Sequence, residues 1–107
     1  MADELLTERV LRAVETLPSG AVVTYGEVAE LVGTGPRQVG RVMAEYGSSV
    51  PWWRVVNAAG CLPEHLVAEA RRHWLEEGLE TTQRGVRISR PDPALWRDAW
   101  LAAVGDL

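Results

Sequence analysis

The chain has 107 residues, of which 47% are hydrophobic and 24% charged, and a net charge of −4. These values fit one globular domain with a single small core and exclude a disordered chain. There is no apolar run long enough to span a bilayer and no basic start leading into an apolar stretch, so neither a membrane span nor a secretory leader is expected. Cys61 is the sole cysteine, which excludes an internal disulfide or a cysteine-based zinc cluster and suits a reducing cytoplasm.

Residues 3–17 read as an amphipathic helix, with Asp3 as its cap and Leu6, Val10, Val14 and Leu17 as its apolar stripe. Pro18-Ser19-Gly20 makes a turn, and Ala21-Val22-Val23 is a short apolar lead-in. Thr24 and Glu27 form a capping box at the start of a second, short helix whose inner side is Val28, Leu31 and Val32. Gly33 ends it. After the turn at Thr34-Gly35, Pro36 suits the first position of a third helix. Val39, Val42, Met43 and Tyr46 fall at i, i+3, i+4 and i+7 and predict its core stripe, while Arg37, Gln38 and Arg41 lie on its polar faces.

A short helix, a glycine turn and a helix with a polar start together make a helix-turn-helix candidate. All eleven basic residues are arginine, and no acid occurs between Leu31 and Ala44. The overall charge argues mildly against a nucleic-acid partner, but salt screens exposed charges beyond roughly 8 Å. A local basic face can therefore still meet a phosphate backbone.

Gly47-Ser48-Ser49 leads into PWWRVV at residues 51–56, which reads either as a buried strand or as the wall of a pocket. A turn follows at Asn57–Gly60, then a fourth helix from Pro63 to Glu77, stopped by Gly78. Residues 81–90, TTQRGVRISR, resemble a short basic hairpin like the wing of a winged helix. Asp92-Pro93 starts a last helix in which Trp96, Trp100 and Ala103 share one face, expected to pack it onto the domain. The expected fold is mainly α: a winged-helix-like helix-turn-helix domain with a short β-hairpin, spanning residues 1–107 as one unit and carrying an extra C-terminal helix over 91–107.

Three separated motifs bear on function. Tyr25 follows a short apolar segment, Arg37 to Gly40 read R-x-V-G, and Pro51 to Val56 read P-x-x-R-V-V. In that order and at that spacing, residues 5–80 resemble the C-terminal DNA-binding domain of O6-alkylguanine-DNA alkyltransferases. In those enzymes the third motif reads P-C-H-R-V, and its cysteine takes the alkyl group from a flipped guanine. Here Trp52 stands in the place of the cysteine and Trp53 in that of the activating histidine. Alkyl transfer needs a soft, deprotonated nucleophile, which an indole is not. The chain is therefore similar to the alkyltransferase-like proteins, which bind alkylated guanine without repairing it. Their usual block, P-W-H-R-V, keeps the histidine, so Trp53 departs even from that group.

The resemblance implies a DNA-facing set of Thr24, Tyr25, Gly35, Arg37, Gln38 and Arg41 entering the minor groove. Arg37 would fill the gap left by the flipped base, Tyr25 would crowd the flipped phosphate, Gly35 and Gly40 would permit close approach, and Arg41 would sit on a phosphate. The implied lesion pocket comprises Tyr25, Pro51, Trp52, Trp53, Arg54 and His65. Trp52 is its floor or wall, Arg54 braces the loop through backbone carbonyls or a carboxylate, and His65 stands nearest to a lid. Glu77, which completes the cysteine–histidine relay in the enzymes, is expected only to help end its helix. No catalytic residue, cofactor or metal is expected, His65 and His73 being too far apart to share an ion. The implied partners are double-stranded DNA carrying O6-alkylguanine and, by family analogy, nucleotide excision repair proteins; a nucleoid-associated cytoplasmic monomer is expected. Three other readings stay open: a winged-helix regulator of undamaged DNA, an alkyltransferase using Cys61, and a protein-interaction module.

Overall fold

A computed structural model describes residues 3–107. The first helix, α1, runs Glu4–Glu15, with the Asp3 carboxylate accepting from the Leu6 amide at 3.1 Å. It stops two residues short of the expected Leu17. Pro18 disfavours helical dihedrals at the residue before it, and the Thr16 hydroxyl donates back to the carbonyls of Arg12 and Ala13. Strand β1, Val23–Thr24, feeds directly into α2, Tyr25–Val32. The expected capping box is present in both directions. The Glu27 amide donates to Thr24 Oγ1 at 3.1 Å, and the Thr24 amide to Glu27 Oε1 at 3.2 Å. Gly33, at φ +88°, closes α2 in the left-handed conformation that glycine adopts without steric cost.

Helix α3, Pro36–Tyr46, completes the helix-turn-helix. Its stripe buries Val39 and Val42 and half-buries Met43, but Tyr46 is 45% exposed. The expectation of a core Tyr46 fails because it is the last residue of α3 and its own backbone (φ −128°, ψ 0°) departs from helical dihedrals, so helical spacing no longer predicts its direction. Two 3-10 turns follow, Gly47–Ser49 and Trp52–Arg54, and the latter passes straight into β2, Val55–Val56. The hexapeptide is thus divided, its tryptophans in a tight turn and its valines fully buried.

Strands β1 and β2 pair in parallel, Val23 with Val55 and Thr24 with Val56. This fixes the position of Tyr25, the first residue after β1, relative to the Trp52–Arg54 turn just before β2. Helix α4 runs Glu64–Glu76 and α5 runs Pro93–Val104. The wing-like segment between them is reduced to single antiparallel bridges, Thr81 with Val86 and Val22 with Ser89. The only regular sheet among the described residues is the parallel pair.

Two apolar clusters result. The larger gathers Val10, Val14, Val28, Val39, Val42, Val50, Trp96 and Trp100 among α1, α2, α3 and α5. The smaller gathers Val22, Val56, Ala70, Trp74 and Val86, with Trp52 and Trp53 packed against it. Helix α5 is tied to α1 by indoles reaching past apolar contacts to backbone oxygens. Trp96 Nε1 donates to the Ala13 carbonyl and Trp100 Nε1 to that of Arg9, each at 2.9 Å. Arg12 adds bonds to the Ala103 carbonyl and to Asp106. Trp96→Ala should lower stability by about 3–5 kcal/mol, the usual cost of deleting a buried tryptophan. Trp96→Phe, which keeps most of the ring and loses only the indole bond to a carbonyl that Thr16 still reaches, should cost about 0.5–1.5 kcal/mol; urea unfolding separates the two.

Candidate functional site

The Glu77 side chain is only 9% exposed, although it stands at the end of α4 where side chains usually reach water. It is held there by donors from two separate segments, the turn at Gly20 and the tryptophan turn. The Gly20 amide donates to Oε1 at 2.7 Å and Trp53 Nε1 to Oε2 at 2.6 Å. Arg54 donates Nε to Oε1 at 3.0 Å and Nη2 to Oε2 at 2.9 Å, a two-pronged clasp that suits the planar guanidinium. The free end of that fork, Nη1, donates to the Leu17 carbonyl at 2.9 Å. Arg54 thus braces the loop through both a carboxylate and a carbonyl. Glu77 does far more than end a helix, which corrects the expectation: it joins the turn after α1, the tryptophan turn and α4.

Burial opposes the charge on Glu77, but the bonds from Arg54, Gly20 and Trp53, together with the Arg54 charge, outweigh it and hold the carboxyl below its ordinary range. Trp53, expected in the place of the enzymes' histidine, donates its indole N–H to this glutamate. Its ring also lies flat on His73, with centroids 3.6 Å apart and an interplanar angle of 6°. Its backbone carbonyl accepts from Nε1 of the fully buried Trp74 at 2.7 Å. Trp52 then stands edge-on to Trp53, at 5.6 Å and 84°, and to His73, at 6.0 Å and 80°. Edge-to-face contact of this kind is a favoured aromatic arrangement.

A cavity of about 360 Å³ opens on the other side of Trp52. Tyr25 from α2, Gly40, Met43 and Ala44 from α3, Leu62 and Pro63 from the following loop, and His65, Leu66 and Glu69 from α4 complete most of its wall. Burial raises the Tyr25 pKa, so its phenol stays protonated at neutral pH. Of the six residues expected to line a pocket, Tyr25, Trp52 and His65 do so. Pro51, Trp53 and Arg54 do not, because the bonds to Glu77 draw Trp53 and Arg54 behind the wall. Cys61 does not border the cavity either; its thiol faces the Ala59 carbonyl at 3.7 Å. Arg37, Gln38 and Arg41 are exposed on α3, the helix that supplies Gly40 and Met43 to the cavity. Nothing lies within 4 Å of where a Cβ on Gly40 would project. Thr24 is engaged in the capping box, and Gly35 is the N-cap of α3.

Sequence reasoning missed three supports of this site. Trp74 carried an indole whose partner, a carbonyl 21 residues away, has no local signature. Gly20 read only as a turn. Gly60 and Gly85 touch back to back, and a Cβ on either would collide with backbone oxygen of the other segment; the Val86 amide donates to the Gly60 carbonyl at 2.9 Å. The turn signals at both glycines were visible, but not their pairing.

Residues 6–80 match the family model described as 6-O-methylguanine DNA methyltransferase, DNA binding domain. A DNA base-flipping protein of Escherichia coli is 42% identical over 64 residues, 56% of this chain and 50% of that protein, so the chain spans about half the length of that relative. Alkyltransferase-like protein 1 of Schizosaccharomyces pombe is 37% identical over 89 residues, covering 76% of this chain and 82% of its own length. The structure of S. pombe Atl1 in complex with damaged DNA containing O6-carboxymethylguanine superposes with a TM-score of 0.69 at 31% identity, over 83% of this chain and 93% of that one.

Breaking the clasp from one side should be costly. Arg54→Ala leaves a nearly buried carboxylate without its cation and should destabilise the domain by about 3 kcal/mol or more, measured by denaturant unfolding. Because the Glu77 carboxyl is depressed, its stabilising contribution is complete above the unfolded-state carboxylate pKa and is lost as pH falls through the lower folded value. Glu77→Gln should therefore lower stability at neutral pH and flatten the acid limb of a stability-against-pH curve.

Proposed function

This chain belongs to the family of 6-O-methylguanine DNA methyltransferase DNA-binding domains, and from that premise we propose that it binds O6-alkylguanine in duplex DNA by flipping the base, without repairing it. The observation that carries the proposal is Trp52 on the wall of the cavity, where a transferase presents a thiol, with Cys61 off that wall. An indole accepts no alkyl group under the conditions in which a thiolate does. Stacking and apolar contact with an aromatic wall are worth roughly 1–3 kcal/mol per base. Extruding a base costs a few kcal/mol, and least where pairing is already weakened. The two nearly offset one another, so an alkylated guanine is held in preference to a normal one.

In this reading α3 lies in the minor groove, Arg37 enters the stack in the flipped base's place, and Arg41 and Gln38 meet the backbone. Tyr25, neutral at physiological pH, flanks the flipped nucleotide, and His65 stands at the mouth. The S. pombe homologue was solved with damaged DNA, which supports the same class of partner here. Because the lesion stays intact, the complex marks it for a pathway that excises it, and nucleotide excision repair is the proposed recipient. A partner of this kind would also place the protein on the nucleoid.

Duplexes identical but for a single O6-methylguanine test the reading. The modified duplex should bind several-fold tighter; equal affinity would favour a regulator of undamaged DNA, and no binding a protein-interaction module. Arg37→Ala should weaken lesion binding by about tenfold or more, since an extruded base then leaves an unfilled gap. No labelled methyl group should move from DNA to protein, and Trp52→Cys alone should not restore transfer, because the indole of Trp53 has no basic nitrogen to link Glu77 to the thiol. Label appearing on the unmodified protein, and lost in Cys61→Ala, would establish an enzyme instead.

A further inference from the structure

We propose that Glu69 sets the chemical selectivity of this cavity, favouring guanines with neutral, apolar O6 groups and rejecting those with an anionic group; the assignment rests on the lesion-binding reading above. The wall is apolar over most of its extent, through Met43, Ala44, Trp52, Leu62 and Leu66. Among the described residues that line it, Glu69 is the only carboxylate, and no arginine or lysine is present. Glu69 forms no ion pair among the described residues that would neutralise it. The nearest arginine in sequence to the wall's tryptophan, Arg54, is already clasped to Glu77 behind Trp53.

Size sets the reach of the effect. A sphere of about 360 Å³ is about 9 Å across, close to the screening length of roughly 8 Å at physiological salt. A substituent held in the part of the cavity beside Glu69 therefore lies within reach of its charge. An anionic substituent would lose hydration against the apolar wall, meet a like charge, and find no arginine or lysine on the wall in return. A neutral alkyl chain has none of these costs and buries apolar surface. The S. pombe homologue was solved with DNA containing O6-carboxymethylguanine. The fold itself thus does not forbid an anionic adduct, and the discrimination belongs to the residues of this chain.

The test uses the whole chain and duplexes that differ at one guanine: unmodified, O6-butyl and O6-carboxymethyl, the two substituents having equal numbers of heavy atoms. Affinities are read by anisotropy at fixed pH and ionic strength. The unaltered protein should bind the butyl duplex about tenfold tighter than the carboxymethyl duplex, the scale of one close like-charge contact. Glu69→Gln should narrow that ratio by about threefold or more, and Glu69→Arg further still, since it supplies the missing cation. Glu69 lies at an exposed helical position, and circular dichroism verifies that both variants are folded. Equal affinity of the unaltered protein for the two lesions overturns the proposal, as does a ratio that survives both substitutions. If neither lesion binds tighter than unmodified DNA, the lesion-binding reading falls and this assignment with it.

Discussion

The structure depends on one nearly buried carboxylate. Glu77 gathers donors from Gly20, Trp53 and Arg54, and so ties the turn after α1 and the tryptophan turn to the end of α4. A carboxylate out of water is tolerated only when its lone pairs are filled and its charge matched. Here four bonds and one guanidinium do both. The same bonds decide where the two tryptophans go. Trp53 is drawn inward onto Glu77 and His73, and Trp52 is left to face the cavity.

Trp53 is the most informative departure from the family pattern. The resemblance to the transferases implies a histidine at this position that links a glutamate to a reactive cysteine. Here the indole keeps the link to the glutamate but has no basic nitrogen to offer in the other direction. Its flat stack on His73 and its carbonyl bond from Trp74 make this a packing position. Trp52 and Trp53 are therefore parts of a rigid wall that the network around Glu77 holds in place.

Division of labour between the two apolar clusters follows. The larger, among α1, α2, α3 and α5, supports the helix-turn-helix and leaves Arg37, Gln38 and Arg41 exposed. The smaller, around Trp74, supports the tryptophan turn and the far wall of the cavity. The parallel pairing of Val23–Thr24 with Val55–Val56 joins them, and Tyr25 and Trp52 both border the cavity. Helix α5 lies outside the matched residues 6–80, yet its indoles bind carbonyls of α1. It is an addition that thickens the larger core rather than a separate unit.

Much of this was readable in the residues themselves. The Thr24–Glu27 capping box, the Gly33 stop, Pro36 at the head of α3, the amphipathic stripes and the Trp96/Trp100 face all depend on partners a few residues away or on burial periodicity, which a sequence displays directly. The absence of a thiol in the third motif was equally plain. Tyr46 was misjudged because its stripe was extrapolated to the last residue of α3, whose own dihedrals depart from the helix. What only the tertiary structure decided is the partition of Pro51–Arg54 between cavity wall and hidden brace, and the role of Glu77 that causes it. Those bonds close over separations of 57, 24 and 23 residues. No local pattern encodes such distances; they appear only once the parallel strands and the packing of α4 bring the segments together.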